Sequence, residues 1–414
     1  MHAHVIRACA AAVAGALISF GLAGAAGAAG AAQRGPGAPG AAGASGQAGA
    51  VSVPTAGLNQ AAGVPAGFQP VSASFLSASS GFVLGGVGCA YGHPACQARL
   101  TATTNGGAQW HFLSAPDVPL FYGAGNLLTQ ASRVGGVVFA NRLDGWLYGP
   151  GLYATHDGGA RWQRISLGGN IVPSQGGGVT WMAASAGTAW AVVNPDPFHG
   201  SADELYRSPV GTNAWARVGA MTAANALLAV SGRAAWFASS AGAGSGSSEY
   251  LWATADGVHW NKYPFRCPGA YYQQSGIAAA SPSHVLFLCA FPQGMYRTEK
   301  ELLGSVNGGR TEHLIGPAPL TGNVAGFAVL PHSTTMITIA VITPGQDYLY
   351  RSSNGGKTWT QVTVPDTGGG TDLGSLSYAS PTVGWMVLGG PFEGPVSLLM
   401  RTADAGATWH QVRF

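Results

Sequence analysis

Short apolar runs bounded by Gly or Pro recur through most of the chain, and the last fifty residues show this pattern most clearly. Each run there is rich in Val, Leu, Thr or aromatic residues, as short strands are. A polar turn at Asp404 separates the last two runs. The pattern predicts four antiparallel strands, Ser375 to Ala379, Gly384 to Leu388, Leu398 to Thr402 and Thr408 to Phe414.

The same arrangement repeats at intervals of about fifty residues. A fixed period of this length is typical of repeat architectures, in which each unit buries its apolar face against its neighbours. The pattern predicts an all-β fold, a seven-bladed β-propeller of four-stranded antiparallel blades. The seven units cover roughly residues 68–117, 118–172, 173–219, 220–267, 268–317, 318–366 and 367–414.

An Asn or Asp followed by Gly marks the turn between the third and fourth predicted strands. The Asn or Asp side chain accepts backbone hydrogen bonds, and Gly allows the positive φ of a tight hairpin. Unit 3 has Gly211 and Trp215 but no acid, and unit 5 has Glu312 where Trp is expected. The turn residues are Asn105, Asp157, Asp256, Asn307, Asn354 and Asp404, each preceded two positions earlier by Thr103, Thr155, Thr254, Ser305, Ser352 or Thr402.

This turn resembles the Asp-box, or bacterial neuraminidase repeat, of sialidases, sortilin-type receptors and photosystem II stability and assembly factor-like proteins. The last family tends to have a Gly-Trp-x-Val-Gly-like second strand, which Gly384-Trp385-Met386-Val387-Leu388-Gly389 resembles. Leu349-Tyr350-Arg351-Ser352-Ser353-Asn354-Gly355-Gly356-Lys357-Thr358-Trp359 resembles its turn segment. The resemblance implies the propeller fold and a structural role for the turns. We expect Trp146, Trp190, Trp236 and Trp385 to be core residues.

Sialidase chemistry is not expected. Such enzymes need three converging arginines, a Tyr nucleophile paired with Glu, and an Asp acid/base, with the first Arg in a Phe/Tyr-Arg-Ile-Pro motif before the first blade. Phe265-Arg266-Cys267-Pro268 is a near-match, but it precedes unit 5 and has Cys at the Ile position.

The N-terminal residues predict export. Arg7 and two histidines precede an apolar stretch from Ala8 to Leu22, and small residues follow, as in a signal peptide. An uncleaved membrane anchor is the alternative, although the stretch is shorter than the ~20 residues that span a bilayer. We expect a signal peptide over residues 1–32, a Gly/Ala/Pro-rich flexible linker over 33–67 and the propeller over 68–414. The protein would then be secreted, either free or associated with the cell surface.

The composition argues against a nucleic-acid partner. Of the 414 residues, 47% are hydrophobic and only 8% are charged, and the net charge is +3. Nucleic-acid binding normally requires clustered Lys and Arg. We expect no cofactor, no stable membrane span after signal removal, and a monomer.

Four cysteines remain after the predicted cleavage, and an even number in an exported chain favours two disulfides. Cys89 and Cys96 bracket a loop between the second and third strands of unit 1. Cys267 precedes the first strand of unit 5, and Cys289 ends its second strand. The alternative is a metal site of Cys89, His93 and Cys96, but zinc usually takes four ligands, or three and water.

The candidate binding surface is the propeller face that carries the connections from the second to the third strand and from blade to blade. These connections are long, and function concentrates on loops held by a rigid scaffold. We expect an exported, non-catalytic module that binds an extracellular protein or glycan there. The candidate residues are Tyr91, His93, Phe121, Tyr122, Asp196, Phe198, His199, Tyr271, Tyr272, Phe291, Phe392 and Glu393.

Two alternatives remain for this face. The aromatic rings can simply pin long loops to the blades. A secreted glycoside hydrolase would instead use a carboxylate pair in a cleft. The acidic pairs Asp203 with Glu204 and Glu299 with Glu301 are in different blades, where we expect solvated loop charges.

Overall fold

The computed structural model of the protein describes twelve stretches of the chain: 63–64, 67–89, 96–120, 133–168, 171–172, 176–239, 250–268, 273–294, 297–343, 346–365, 373–389 and 397–414. The predicted signal peptide and almost all of the predicted linker lie outside these residues, so they stay predictions.

The described residues form seven separate four-stranded sheets, as expected from the seven repeats. Blades 1 to 4 contain β1 (Phe68–Phe75), β2 (Gly81–Val87), β3 (Arg99–Thr103), β4 (His111–Leu113); β5 (Gly136–Phe139), β6 (Gly145–Tyr148), β7 (Leu152–Thr155), β8 (Gln163–Arg164); β9 (Gly178–Ser185), β10 (Thr188–Asn194), β11 (Asp203–Pro209), β12 (Ala216–Ala223); and β13 (Ala226–Ser231), β14 (Ala234–Ser239), β15 (Tyr250–Thr254), β16 (Trp260–Pro264). Blades 5 to 7 contain β17 (Gln273–Ala279), β18 (Val285–Gly294), β19 (Arg297–Ser305), β20 (His313–Ala318); β21 (Asn323–Val329), β22 (Ile337–Ile342), β23 (Tyr348–Ser352), β24 (Thr360–Thr363); and β25 (Leu373–Tyr378), β26 (Gly384–Leu388), β27 (Leu398–Thr402), β28 (His410–Val412).

The seven sheets close into a ring. Within each sheet the strands lie in sequence order and pair antiparallel. The first strand of each blade contacts the first strand of the next, and β25 contacts β1. The fold prediction is therefore confirmed, including blade 3, whose turn has no acid.

Side-chain contacts close the junction between blade 7 and blade 1, and the described residues of the two blades share no strand. The Phe75 and Trp385 rings stack at 3.6 Å between centroids. Phe68 and Phe414 meet edge to face at 4.6 Å, and the Ser397 hydroxyl donates to the Pro70 carbonyl. Stacked and edge-to-face rings stabilise such a junction beyond their buried area.

Each predicted Asn or Asp turn forms the same hydrogen-bonded unit. In blade 7, Thr402 Oγ1 donates to Asp404 Oδ1 at 2.7 Å and accepts from the Gly406 amide at 2.9 Å. Asp404 Oδ1 also accepts from the Thr408 amide at 2.9 Å. The corresponding hydroxyl-to-Asn/Asp and Gly-to-hydroxyl bonds occur in blades 1, 2, 4, 5 and 6.

The turns also join neighbouring blades. Trp236 of blade 4 donates its indole N–H to the carbonyl of Gly308 in the turn of blade 5, at 2.8 Å. Arg351 of blade 6 donates to Ala405 of blade 7 at 2.9 Å in the same way. The four second-strand tryptophans are at most 2% exposed, which confirms them as core residues.

Both predicted disulfides are present, Cys89–Cys96 and Cys267–Cys289. The sulfurs of Cys89 and Cys96 are thus bonded to each other, and the alternative ligand His93 lies outside the described residues. The expected end of the second strand of blade 5 at Cys289 was wrong. β18 continues for five residues to Gly294, which lengthens its hairpin with β19.

Two unit boundaries also shift. β12 runs to Ala223, four residues past the expected limit of unit 3, and β20 runs one residue past the limit of unit 5. In the part of the chain that the structure describes, no helix has the length and apolar character required to cross a membrane.

Candidate functional site

The two faces of the propeller differ in their connections. The turn face contains the turns between first and second and between third and fourth strands. The loop face contains the second-to-third and blade-to-blade connections. Not all of these are long, contrary to expectation: β6 and β7 are joined by residues 149–151 alone, and β12 and β13 by residues 224–225.

Polar contacts hold the connection between β10 and β11. Pro197–His199 form one 3₁₀ turn, capped by Asp196, whose Oδ1 accepts from the His199 amide at 3.2 Å. Asp196 Oδ2 lies 2.7 Å from His199 Nδ1. Desolvation raises the pKa of Asp196, but hydrogen bonds from the His199 side chain and backbone outweigh it and lower the pKa.

This 3₁₀ turn presents Phe198 to solvent. Phe198 is 66% exposed, and its ring meets the His199 ring edge to face at 5.2 Å. Phe198 and its two sequence-predicted neighbours, Asp196 and His199, are therefore together on the loop face.

Asn194 and Asp203 hold the base of this connection. Asn194 accepts from the Asp196 amide at 3.1 Å and donates to the Ser201 carbonyl at 3.3 Å. Asp203 is 6% exposed and accepts from the Ala226 amide at 2.7 Å, which fixes the start of blade 4. Burial raises the pKa of Asp203 to about 6, although hydrogen bonds from Ala226 and Asn194 oppose the shift.

The long β18–β19 hairpin forms a second part of the loop face. On its side toward blade 4, Phe291 pairs with Glu299, and Cys289 pairs with both Glu301 and Gln274. Directly paired residues lie on one face of an antiparallel sheet. Desolvation and the nearby Glu299 charge raise the pKa of Glu301.

The opposite side of this hairpin buries a lysine. Lys300 is 1% exposed, and its ammonium donates to three backbone carbonyls: Pro319 at 2.7 Å, Thr298 at 3.1 Å and Thr321 at 3.2 Å. Desolvation lowers the pKa of Lys300 to about 8. Sequence reasoning missed this contact, since its acceptors are backbone carbonyls, one on β19 itself and two in the connection to blade 6.

A cavity of about 190 Å³ lies at the junction of blades 7 and 1. Its lining combines the starts of β1 and β27 with the end of β28, so it opens on the loop face. The lining residues are Gly67, Phe68, Ser397, Leu398, Leu399, Gln411, Val412, Arg413 and Phe414.

Other predicted site residues lie outside the described residues: Tyr91, His93, Phe121, Tyr122, Tyr271, Tyr272, Phe392 and Glu393. We expected the acidic pairs to be solvated charges on loops. Their expected position on loops was wrong, because the residues are on strands. Asp203 and Glu204 are on β11, and Glu299 and Glu301 are on β19, because both strands extend further toward the loop face than the sequence indicates.

In the described stretches, no group of three or more His, Cys, Asp or Glu side chains could hold a metal ion. The chemistry that the described loop face offers is hydrogen bonding, carboxylate charge and aromatic contact.

No protein-family model matches the chain, and no curated protein matches it either. Solved structures are similar in fold. YCF48 bound to a D1 peptide has a TM-score of 0.52 at 18% identity, over 83% of this chain and 95% of that one. YCF48 from Cyanidioschyzon merolae has a TM-score of 0.52 at 15% identity, over 82% and 97%.

A puromycin-hydrolysing peptidase from Mycobacterium tuberculosis reaches a TM-score of 0.55 at 14% identity. The match covers 85% of this chain but only 56% of the peptidase. At these identities the similarity shows the propeller fold alone, so function has to be argued from the candidate site.

Proposed function

We propose that this chain is an exported, non-catalytic binding or assembly module whose loop face holds an extracellular protein partner. The observation that carries the proposal is Phe198, a large apolar ring that is 66% exposed at the tip of a capped 3₁₀ turn. Phenylalanine is enriched at protein interfaces. A ring on a turn that hydrogen bonds already hold loses less conformational entropy when a partner covers it.

The turn face is a poorer candidate, because its polar groups are already used. The hydroxyl and carboxylate or amide oxygens of each turn bond to groups in the same turn. We therefore infer that the Asp-box-like turns stabilise the blades and that binding residues are on the opposite face.

Two further observations support the proposal. The similar structure of YCF48 contains a bound D1 peptide, which is an example of peptide recognition by a propeller of this architecture. The two disulfides are consistent with an oxidising compartment outside the cell.

The enzyme alternative depends on Glu299 and Glu301, since a glycoside hydrolase needs two carboxyl groups and a raised pKa on its acid. Glu301 has a raised pKa. We expect no turnover of a panel of fluorogenic glycosides by the purified chain. Turnover that is abolished in Glu301→Gln would favour the enzyme.

A binding screen with matched variants tests the proposal. The full chain is screened against secreted proteins and glycans, and each hit is measured again with Phe198→Ala. We expect a protein hit whose affinity falls at least tenfold, because the ring is the main apolar contact. The control is Val306→Ala, which removes an apolar side chain, 61% exposed, from the turn face. Equal losses in both variants, or hits that are only glycans, would contradict the proposal.

A further inference from the structure

The buried carboxyl group of Asp203 lies at the base of the connection that presents Phe198. This connection comprises residues 195–202, between β10 and β11, and we call it the Phe198 loop. Asp203 is 6% exposed, and its Oδ2 accepts from the Ala226 amide at 2.7 Å. The Asn194 side chain donates a second hydrogen bond to the same carboxyl group. Asp203 thus contacts both the base of the loop and the start of blade 4.

Asn194 connects this carboxyl group to the loop itself. Its Oδ1 accepts from the Asp196 amide at 3.1 Å, and its Nδ2 donates to the Ser201 carbonyl at 3.3 Å. Asp196 in turn caps the 3₁₀ turn by accepting from the His199 amide. A series of hydrogen bonds therefore runs from the buried carboxyl group to the turn that carries the exposed ring.

The charged groups around Asp203 have other partners. Among the described residues, Asp203 forms no ion pair, and β9, β10, β13 and β14 contain no charged residue. The charged and titratable groups of the loop, β11, β12 and blade 4 are paired as follows: Asp196 with His199 at 2.7 Å, Glu204 with Arg217 at 3.0 Å and with Tyr206 at 3.3 Å, Arg207 with the Gly257 carbonyl, and Lys262 with the Tyr250 ring at 3.4 Å.

Ionisation of Asp203 is therefore costly while the loop is closed. Burial without an opposite charge disfavours the charged form of a carboxyl group, and both hydrogen bonds to Asp203 come from neutral amides. Desolvation outweighs these bonds and raises the pKa of Asp203 to about 6. Opening of the loop at its base would return the carboxylate to water and remove this cost.

We propose that the Asp203 carboxyl group is a proton-operated switch for the Phe198 loop. The neutral carboxyl group keeps the loop closed. Loss of its proton to solvent favours an open loop, in which water reaches the carboxylate. The inference rests on the proposed binding function and specifies its regulation, because the loop would be held for a partner at mildly acidic pH and released as the pH rises.

Amide hydrogen exchange of the full chain tests the switch without a partner. Exchange is measured at pH 5 and pH 7.5 and corrected for the intrinsic rate at each pH. Protection of residues 195–202 should fall about tenfold from pH 5 to pH 7.5, given a carboxyl pKa of about 6 in the closed loop and the ordinary 3.8 in the open one. Protection of β14 should stay constant, because only the loop opens.

Two variants locate the effect. Asp203→Asn keeps the shape of the side chain but cannot ionise, so protection of the Phe198 loop should be the same at both pH values. Asp203→Ser, which also cannot ionise, takes its place if the first variant does not fold. Asp404→Asn is the control, because hydrogen bonds hold the pKa of Asp404 at about 2 and its carboxylate does not titrate in this range. Its loop should lose protection as the unmodified protein does.

Two results would overturn the inference. Protection of the loop that is equal at pH 5 and pH 7.5 in the unmodified protein would do so without any variant. A tenfold loss that persists in Asp203→Asn or Asp203→Ser would assign the effect to another group.

A protein hit from the Phe198→Ala screen separates the switch from the binding function. The unmodified protein should bind the hit more tightly at pH 5 than at pH 7.5, by up to about tenfold, and Asp203→Asn should remove this difference. If Phe198→Ala weakens the hit while loop protection is independent of pH, only the switch is wrong. If loop protection depends on pH but the screen finds no protein hit, the binding function is wrong.

Discussion

At the scale of single residues, the two glycines of a turn have different roles. In blade 5, Gly308 and Gly309 both have positive φ, 74° and 87°. A Cβ on Gly309 would lie 2.6 Å from Leu251 Cδ2 and 3.3 Å from Trp236 of blade 4. At Gly308 the nearest atom would be the Pro282 carbonyl oxygen at 3.3 Å. The first glycine thus meets a backbone requirement, and the second allows close packing between blades.

Alanine at these two positions should therefore destabilise the protein to different degrees. Both substitutions introduce left-handed strain of roughly 1–2 kcal/mol. Gly309→Ala adds a clash with buried side chains, for which overpacking costs about 1–3 kcal/mol more. Urea unfolding of the two variants measures the difference. Equal losses in the free energy of unfolding would show that the inter-blade contact is unimportant.

Asp203 makes stability depend on pH. Its folded pKa of about 6 is above the ordinary value of 3.8, so the folded protein binds more protons than the unfolded chain between these values. Its contribution is therefore full below pH 4 and is lost as the pH rises through 6. We compare the free energy of unfolding of Asp203→Asn with that of the unmodified protein at each pH. The difference should shift in favour of the variant by up to about 3 kcal/mol from pH 4 to pH 7.

Urea unfolding at pH 2, 3, 4, 5, 6 and 7 measures this change and also covers the range of the control. Asp404→Asn is the control of opposite sign, because hydrogen bonds from Thr408 and Thr402 overcome desolvation and lower the Asp404 pKa to about 2. The stability that Asp404 contributes is lost only as the pH falls from about 4 toward 2. Parallel pH profiles for Asp203→Asn and the unmodified protein would contradict the assignment.

At the scale of elements, the disulfides differ in how much chain they constrain. Cys267–Cys289 closes a sequence separation of 22 residues, and Cys89–Cys96 closes 7. A longer loop loses more entropy on cross-linking, so removing the first bond should cost about 3 kcal/mol and removing the second about 2 kcal/mol.

The Cys267→Ser/Cys289→Ser and Cys89→Ser/Cys96→Ser double variants allow the comparison by urea unfolding. The order of the two losses is the tested quantity. A larger loss for the Cys89–Cys96 pair would contradict the loop-entropy account.

Element positions were predictable from the sequence where the pattern is local. The Gly-bounded runs gave the strands of blade 7, and the turn at Asp404 set their phase. The extension of β18 beyond Cys289 was not predictable, because Phe291-Pro292-Gln293-Gly294 has loop composition and is held in the strand by pairing with β19. The burial of Lys300 and Asp203 depends largely on backbone groups about twenty residues further along the chain, which no local pattern contains.

At the scale of the whole molecule, side-chain contacts join the seven blades into a ring. Turns join blade 4 to blade 5 and blade 6 to blade 7, and the stacked Phe75 and Trp385 rings complete the circle. The loop face also joins blades, since Asp203 accepts from the Ala226 amide of blade 4 there. The sequence predicted a candidate binding surface on the loop face from the phase of the turns, but eight of its twelve candidate residues lie outside the described part of the chain.

Amide hydrogen exchange, measured with and without the protein partner selected in the screen, tests the central claim most directly. If the loop face binds, exchange should slow in residues 195–202 and 289–301 and remain unchanged in the turns at 254–260 and 305–311. Protection confined to those turns, with no change in the two loop-face segments, would contradict the account.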